Sequence, residues 1–340
     1  LFTAGELLRI DELHEGHSLL IQSCTCDPRL VLPGDLFVLL PNPTSLEREI
    51  CDAKEAIARG CSIIATERPL NDLIPVDLLR DEVPVCLVSN ARRTYGRVLH
   101  ALGGDPSQEI DLFAVVGTTR SDKRIIAHLL AHVLAQQGGA VGLDETLSAS
   151  SGDYWTPDPG CAPDSGWVDP RRPIPESAAL LERLHQMTEA EWSYGVLDIS
   201  HEAIASECLA GVSLKAVCLA DMMTPRQALL NILDEGGLLI VDLDQPNSES
   251  LLRACPRPAL TIGFHADAQI SAVPLECYPT EQTFLLCAGE DMIPVRTRID
   301  RPEHIRNCML AAAAGLVTGM DLTAIVRGLE SFETLAELEA

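Results

Sequence analysis

The residues best placed to do chemistry are Gly117-Thr118-Thr119-Arg120-Ser121-Asp122-Lys123-Arg124, directly after the apolar run 113–116. Where a buried strand turns into a helix, unpaired backbone N–H groups and the positive end of the helix dipole favour a phosphate. Lysine chemistry has few sources here, because only Lys54, Lys123 and Lys215 are lysines among 25 Lys and Arg residues. A Walker-type phosphate loop needs a glycine just before its lysine, so that backbone amides can approach the phosphates. It also needs a serine or threonine just after the lysine, to hold Mg²⁺. Asp122 and Arg124 occupy those two places, and a carboxylate in the cradle would repel a triphosphate. By residue type alone, the segment reads first as an ordinary strand-to-helix turn and second as an altered phosphate loop.

Other candidate groups have bland readings beside the sharp ones. His128 and His132 lie four apart, as metal ligands on a helix face would, and His14 and His17 form the short motif HEGH. Both pairs read more simply as packing and surface histidines. Asp144 and Glu145 read as an acidic loop or a substrate-side turn, and Trp155 and Trp167 as local packing or a protein contact. The twelve cysteines are scattered, only Cys24 and Cys26 are close, and no CxxC occurs. That pattern fits reduced thiols in a cytoplasmic protein better than a disulfide or zinc framework.

The elements that must position these residues follow from length and pattern. A chain of 340 residues with 46% hydrophobic content is expected to form about two globular domains. Its net charge of −25 repels nucleic-acid backbones, and no basic cluster offsets it. The first residues carry acidic charge, unlike a signal peptide, and no apolar run approaches the length of a membrane span.

Apolar strands alternate with amphipathic helices. Strands are expected at 35–40, 61–67 and 83–89, with helices near 46–60 and 90–103. A second series has strands at 113–117, 194–200, 215–221, 237–243 and 259–264. Its helices are expected at 124–137, 176–190, 201–210, 225–234 and 247–254. Residues 148–175, rich in Pro and Gly, read as a long loop. Three strands at 269–277, 282–288 and 292–298 suggest a meander, and helices at 302–317 and 321–330 close the chain. This alternation predicts largely parallel sheets covered on both faces.

Several stretches, in order from about residue 20 to 332, resemble the Mur ligases, the ATP-dependent enzymes that add amino acids to the peptidoglycan precursor. VVGTTRSDKRIIAHLLAHVLAQQGGAVGL resembles the opening of their central domain. DPRLVLPGDLFVLLP and AIARGCSIIATERPL resemble the UDP-binding front domain of the MurE type. GVLDISHEAI, GGLLIVDLDQP and RPEHIRNCMLAAAAGLVTGMDLTAIVRGLESF match later parts of the central domain. The resemblance implies an α/β fold of two domains, a small UDP-binding-like domain over 1–108 and a P-loop-like, doubly wound central domain over 109–332. Residues 333–340 would begin the linker to a third domain, which this chain does not include. ATP and Mg²⁺ are the implied cofactors, a UDP-muramoyl peptide the implied ligand, and a protein partner the further expectation.

By the same resemblance, Gly117, Thr118, Lys123 and Asn307 would contact nucleotide and Asp198 would hold the metal. Ser200, Asp27 and Arg29 would lie near the precursor. The departures are as specific as the matches. The loop is two residues longer than the family's, Glu202 stands at the family histidine with His201 one step early, and Gln245 replaces an aspartate. The family's carbamylated lysine has no counterpart, because no lysine follows Lys215. These departures predict a homologue with lost or weakened ligation, acting as a binding or scaffolding protein. The alternative is an active amide ligase completed by the third domain.

Overall fold

The computed structural model describes residues 2–8, 19–42, 45–69, 83–145, 147, 176–233, 236–265, 267–278, 281–299 and 301–332. His14, His17, the 148–175 segment with Trp155 and Trp167, and the 333–340 tail lie outside the described residues. The chain divides into two compact units. One comprises Leu1–Pro106, Ile174–Arg183 and Ser206–Val212; the other comprises Ser107–Pro173, Leu184–Ala205 and Ser213–Ala340.

In the first unit, β1 (Phe2–Thr3) and β2 (Leu20–Ile21) pair antiparallel, with α1 (Ala4–Leu8) between them. A parallel sheet follows in chain order: β3 (Cys24–Thr25), β4 (Leu36–Val38), β5 (Ile63–Thr66) and β6 (Val85–Leu87). Alternate residues of its strands face opposite sides. Leu36 and Val38 pack with Ile63, Ala65 and α3 (Ala91–Leu102), whereas Phe37 and Leu39 pack with Ile64 and α2 (Leu46–Ala58). The helix starts are written locally. Ser45 Oγ accepts from Arg48 N–H at 3.2 Å to cap α2, and Asn90 Oδ1 accepts from Arg93 N–H at 2.9 Å to cap α3. Gly60, at φ +90°, ends the turn after α2.

The second unit is a nine-stranded sheet. Its elements in chain order are β7 (Asp111–Val116), α4 (Arg120–Ala135), β8 (Val141–Asp144), α5 (Glu176–Glu189, of which the part from Leu184 belongs to this unit), β9 (Tyr194–Ile199), α6 (His201–Ala205) and β10 (Ala216–Leu219). Then follow α7 (Arg226–Ile232), β11 (Leu238–Asp242), α8 (Ser248–Ala254), β12 (Ala259–Gly263), β13 (Ile270–Tyr278), β14 (Glu281–Ala288), β15 (Asp291–Thr297), α9 (Pro302–Val317) and α10 (Leu322–Ser331). The strand order is β15-β14-β13-β12-β11-β10-β7-β9-β8. Pairing is parallel from β8 to β13, and the last three strands form an antiparallel meander. β7 lies between β9 and β10, so the chain first lays β8 and β9 on one side of β7 and then crosses to lay β10 and the later strands on the other. That reversal opens a crevice beyond the strands' C-terminal ends, the usual ligand position in such sheets. Helices α4, α9 and α10 share one core with the sheet, built on Phe113, Val115, Leu130, Val133, Ile240, Leu310 and Ile325.

Three departures from the sequence expectation bear on function. α4 begins at Arg120 rather than 124, so Lys123 belongs to a helix, and Lys123 N–H bonds Thr119 O at 3.2 Å. The expected eight-residue loop is thus a turn of Gly117, Thr118 and Thr119, with the rest wound into the first helical turn. β8 adds an edge strand that the pattern did not announce. Finally, α6 stops at Ala205 rather than 210, because Glu207 takes a left-handed φ of +60° and its carboxylate holds Arg93 at 2.7 Å.

Candidate nucleotide-site crevice

Four neighbouring parallel strands, β11, β10, β7 and β9, end together at the crevice. Gly117 and Thr118 follow β7, Asp198 and Ser200 sit at the end of β9, Asp221 lies just past β10, and Asp242 ends β11. The site is therefore a row of carboxylates around a short turn. Each of Asp198, Asp221 and Asp242 is engaged by groups of this same chain.

The centre of the row is the Lys123–Asp198 ion pair. Lys123 Nζ lies 2.9 Å from Asp198 Oδ1 and also donates to Ile199 O at 3.1 Å. Both side chains are buried, with Lys123 only 1% exposed and Asp198 0%. A charge removed from water to this degree is stable only with its counter-charge close by. The lysine's charge is directed into the sheet, not towards an incoming anion.

Next to it, Asp221 holds the turn itself. Its Oδ2 accepts from Thr118 N–H at 2.5 Å and from the Thr118 hydroxyl at 2.6 Å, and its Oδ1 accepts from Met223 N–H at 2.9 Å. Partial burial alone would raise the pKa of this carboxyl. The Thr118 and Met223 hydrogen bonds and the nearby His201 outweigh that effect and hold it below the ordinary aspartate value. Gly117 makes the close approach feasible. A Cβ there would lie 2.9 Å from Ala220 Cβ, 3.1 Å from Asp221 Oδ2 and 3.3 Å from Lys123 Cγ.

At the far end, the Arg306 guanidinium pairs with Asp242 and donates to Ala220 O at 2.5 Å. With the Gln245 carboxamide oxygen turned inward, it also accepts from both Arg306 amino groups at 3.0 Å. This one arginine ties the ends of β10 and β11 together. Burial raises the pKa of Asp242, against the opposing pull of the Asp244 N–H and Arg306.

Of the residues singled out from sequence, Gly117, Thr118, Lys123, Asp198 and Ser200 come together around the crevice. Ser200 serves there as a helix start, its Oγ accepting from Ala203 N–H at 3.1 Å. Asn307 is buried on α9, one residue beyond Arg306. Asp27 and Arg29 lie in the other unit and bind each other: Asp27 caps the short 3₁₀ turn Pro28–Leu30 and meets the Arg29 guanidinium at 2.6 Å. His128 and His132 do not form a ligand pair. His128 Nε2 meets Glu145 Oε1 at 2.8 Å, an oxygen shared with Arg124, whereas His132 Nδ1 meets Ser331 Oγ at 3.1 Å. Asp144 is buried rather than part of a solvated loop. Among the described residues no group of three or more His, Cys, Asp or Glu is arranged for a metal, and every cysteine is a free thiol. Sequence reasoning missed Asp221 and Arg306, whose partners are far away in the chain.

The arrangement does not fit a magnesium triphosphate. The Thr118 donors are given to Asp221, the lysine is sealed against Asp198, and the turn that would wrap a phosphate is only three residues long.

Comparison with known proteins agrees with the fold. The UDP-N-acetylmuramoyl-L-alanyl-D-glutamate–2,6-diaminopimelate ligase of Halalkalibacterium halodurans is 24% identical over 342 residues, covering 95% of this chain and 65% of the relative. Its namesake in Pseudomonas putida reaches 31% identity over 152 residues, 43% of this chain and 29% of the relative. A solved structure of a ligase of that name superposes with a TM-score of 0.73 at 16% identity, covering 97% of this chain and 66% of the other. The chain is similar to Mur ligases of the MurE type over most of its length. No protein-family profile matches it. The chain spans just under two thirds of the Halalkalibacterium relative's length. Among its described residues no helix is long and apolar enough to cross a membrane.

Proposed function

We propose that this Mur-ligase homologue is a cytoplasmic pseudoenzyme that does not carry out ATP-dependent ligation. In this reading it binds a UDP-muramoyl peptide, or scaffolds a protein partner, in peptidoglycan precursor synthesis. The observation that carries the reading is the buried Lys123–Asp198 pair. The residue implied for the phosphates and the residue implied for the metal neutralise each other. Phosphoryl transfer depends on positioning and charge neutralisation, so a lysine that faces away from the substrate removes most of the effect.

The test is calorimetric titration of the full-length protein with Mg²⁺–ATP and then with UDP-muramoyl dipeptide. The expected result is no ATP binding, and no ATP-dependent amide formation with diaminopimelate or lysine. Micromolar to submillimolar ATP binding, or measurable amide formation, would overturn the reading.

A second reading is an active ligase completed by a further domain. It is favoured by the placement of Gly117 and Asp198 at adjoining strand ends, with Lys123 in the first turn of α4. It requires ATP to draw Lys123 out of its pair, so a Lys123→Ala variant that kept the parent's nucleotide affinity would remove its support.

A further inference from the structure

We propose that Asp221 is an internal lock: its carboxylate occupies the anion seat formed by Thr118 and so keeps the β7–α4 turn closed to outside anions. The inference rests on the reading of an unused nucleotide crevice and adds the group responsible for closing it.

Three observations support it independently of the buried ion pair. First, one carboxylate oxygen takes both donors of Thr118, the backbone N–H at 2.5 Å and the hydroxyl at 2.6 Å. A tetrahedral oxyanion would use the same two donors in the same way, and two charge-assisted bonds to one oxygen are far stronger than neutral ones. Second, Thr118 and Thr119 are exposed, so the seat faces solvent and could be reached from outside. Third, Thr119, the residue before α4, makes no side-chain cap bond to the helix start. Asp221 is held in position by Met223 N–H on its other oxygen, on a segment that leaves β10 parallel to β7. The lock is therefore fastened to the sheet at its own end. Its partner lies 103 residues away along the chain, so the contact is a tertiary one and not a local turn.

The lock also explains the glycine at 117. Any side chain there would push against Asp221 Oδ2 and Ala220 Cβ and lift the carboxylate off Thr118.

The test compares the parent protein with Asp221→Ala and Asp221→Asn, using inorganic pyrophosphate as the probe. Binding is followed by calorimetry, and the Thr118 amide by hydrogen exchange. In the alanine variant the Thr118 amide should exchange at least about tenfold faster. Pyrophosphate should bind that variant at least about tenfold more tightly than the parent, and should slow the exchange again. The asparagine variant keeps an acceptor without the charge and should fall between. If the alanine variant does not fold, the parent-to-asparagine difference decides. Equal pyrophosphate affinity in parent and folded variant, whether strong or absent, overturns the lock. ATP binding by the parent would instead overturn the proposed function, so the two failures are read in different samples.

Discussion

Lys123 Nζ sits 2.9 Å from Asp198 Oδ1 with both side chains sealed in the sheet. The pair joins the first turn of α4 to the last residues of β9, which makes it structural. Removing one partner leaves a buried charge without its counterpart, at a typical cost of about 3–5 kcal/mol. Lys123→Met is therefore expected to destabilise the protein by that order in urea unfolding. Lys123→Met combined with Asp198→Leu should recover much of the loss, because a hydrophobic replacement of the whole pair is nearly neutral. A lysine whose role was only to meet a phosphate would show neither effect.

Gly328 gives a prediction in which two effects oppose each other. Helix propensity alone favours Gly328→Ala in α10 by about 1 kcal/mol. An alanine Cβ would, however, stand 2.5 Å from Val133 Cα and 3.0 Å from His132 O, backbone atoms of α4 that cannot rotate aside. Overpacking of this kind costs about 1–3 kcal/mol. Urea midpoints should thus show a net loss, whereas a gain would mean that α10 can lift away from α4 freely.

Much of the architecture was legible in the sequence, for reasons that name their own limits. Strands β7, β9, β10 and β11 are short apolar runs bounded by turn residues, and helices such as α2 and α3 carry their caps next door, at Ser45 and Asn90. β8 escaped because Val-Gly-Leu-Asp is short and contains a glycine, and its partner β9 comes fifty residues later. The start of α4 escaped because Arg-Ser-Asp-Lys has no apolar period and Thr119 forms no side-chain cap. In the crevice, Lys123 and Asp198 were visible one by one, but their pairing depends on strand order. Asp221 and Arg306 left no local signal, since Thr118 and Ala220, the groups they meet, are 103 and 86 residues distant.

His304 predicts an acid-side slope. It is buried on α9 with Nε2 3.4 Å from Cys308 Sγ, and its Nδ1 has no hydrogen-bond partner. Burial pushes its pKa down from 6.5 to about 4. The unfolded chain therefore binds a proton between those values while the folded one does not. Stability is complete above pH 6.5 and falls as pH drops towards 4, by about 3 kcal/mol from this group alone. His304→Leu should flatten the urea-midpoint profile over that window, and an unchanged slope would assign the acid sensitivity to other groups.

Arg306 offers the complementary case, with the opposite sign. Asp242 is buried with its pKa already raised, and Arg306 is one of the groups that restrain the shift. A carboxyl raised in the folded state keeps its proton at pH values where the unfolded chain has lost it. Stability therefore declines as pH climbs from the ordinary aspartate value, 3.8, through the folded value. Arg306→Leu takes away the counter-charge and the ties to Ala220 O and Gln245, so the folded value moves higher and the decline extends further towards neutrality. At pH 7 the variant should lie about 3–5 kcal/mol below the parent, with the gap narrowing in acid as Asp242 takes up its proton. Urea unfolding of both proteins from pH 4 to 7 measures that gap. A gap independent of pH would mean that Arg306 contributes through its hydrogen bonds to the strand ends and not through its charge on Asp242.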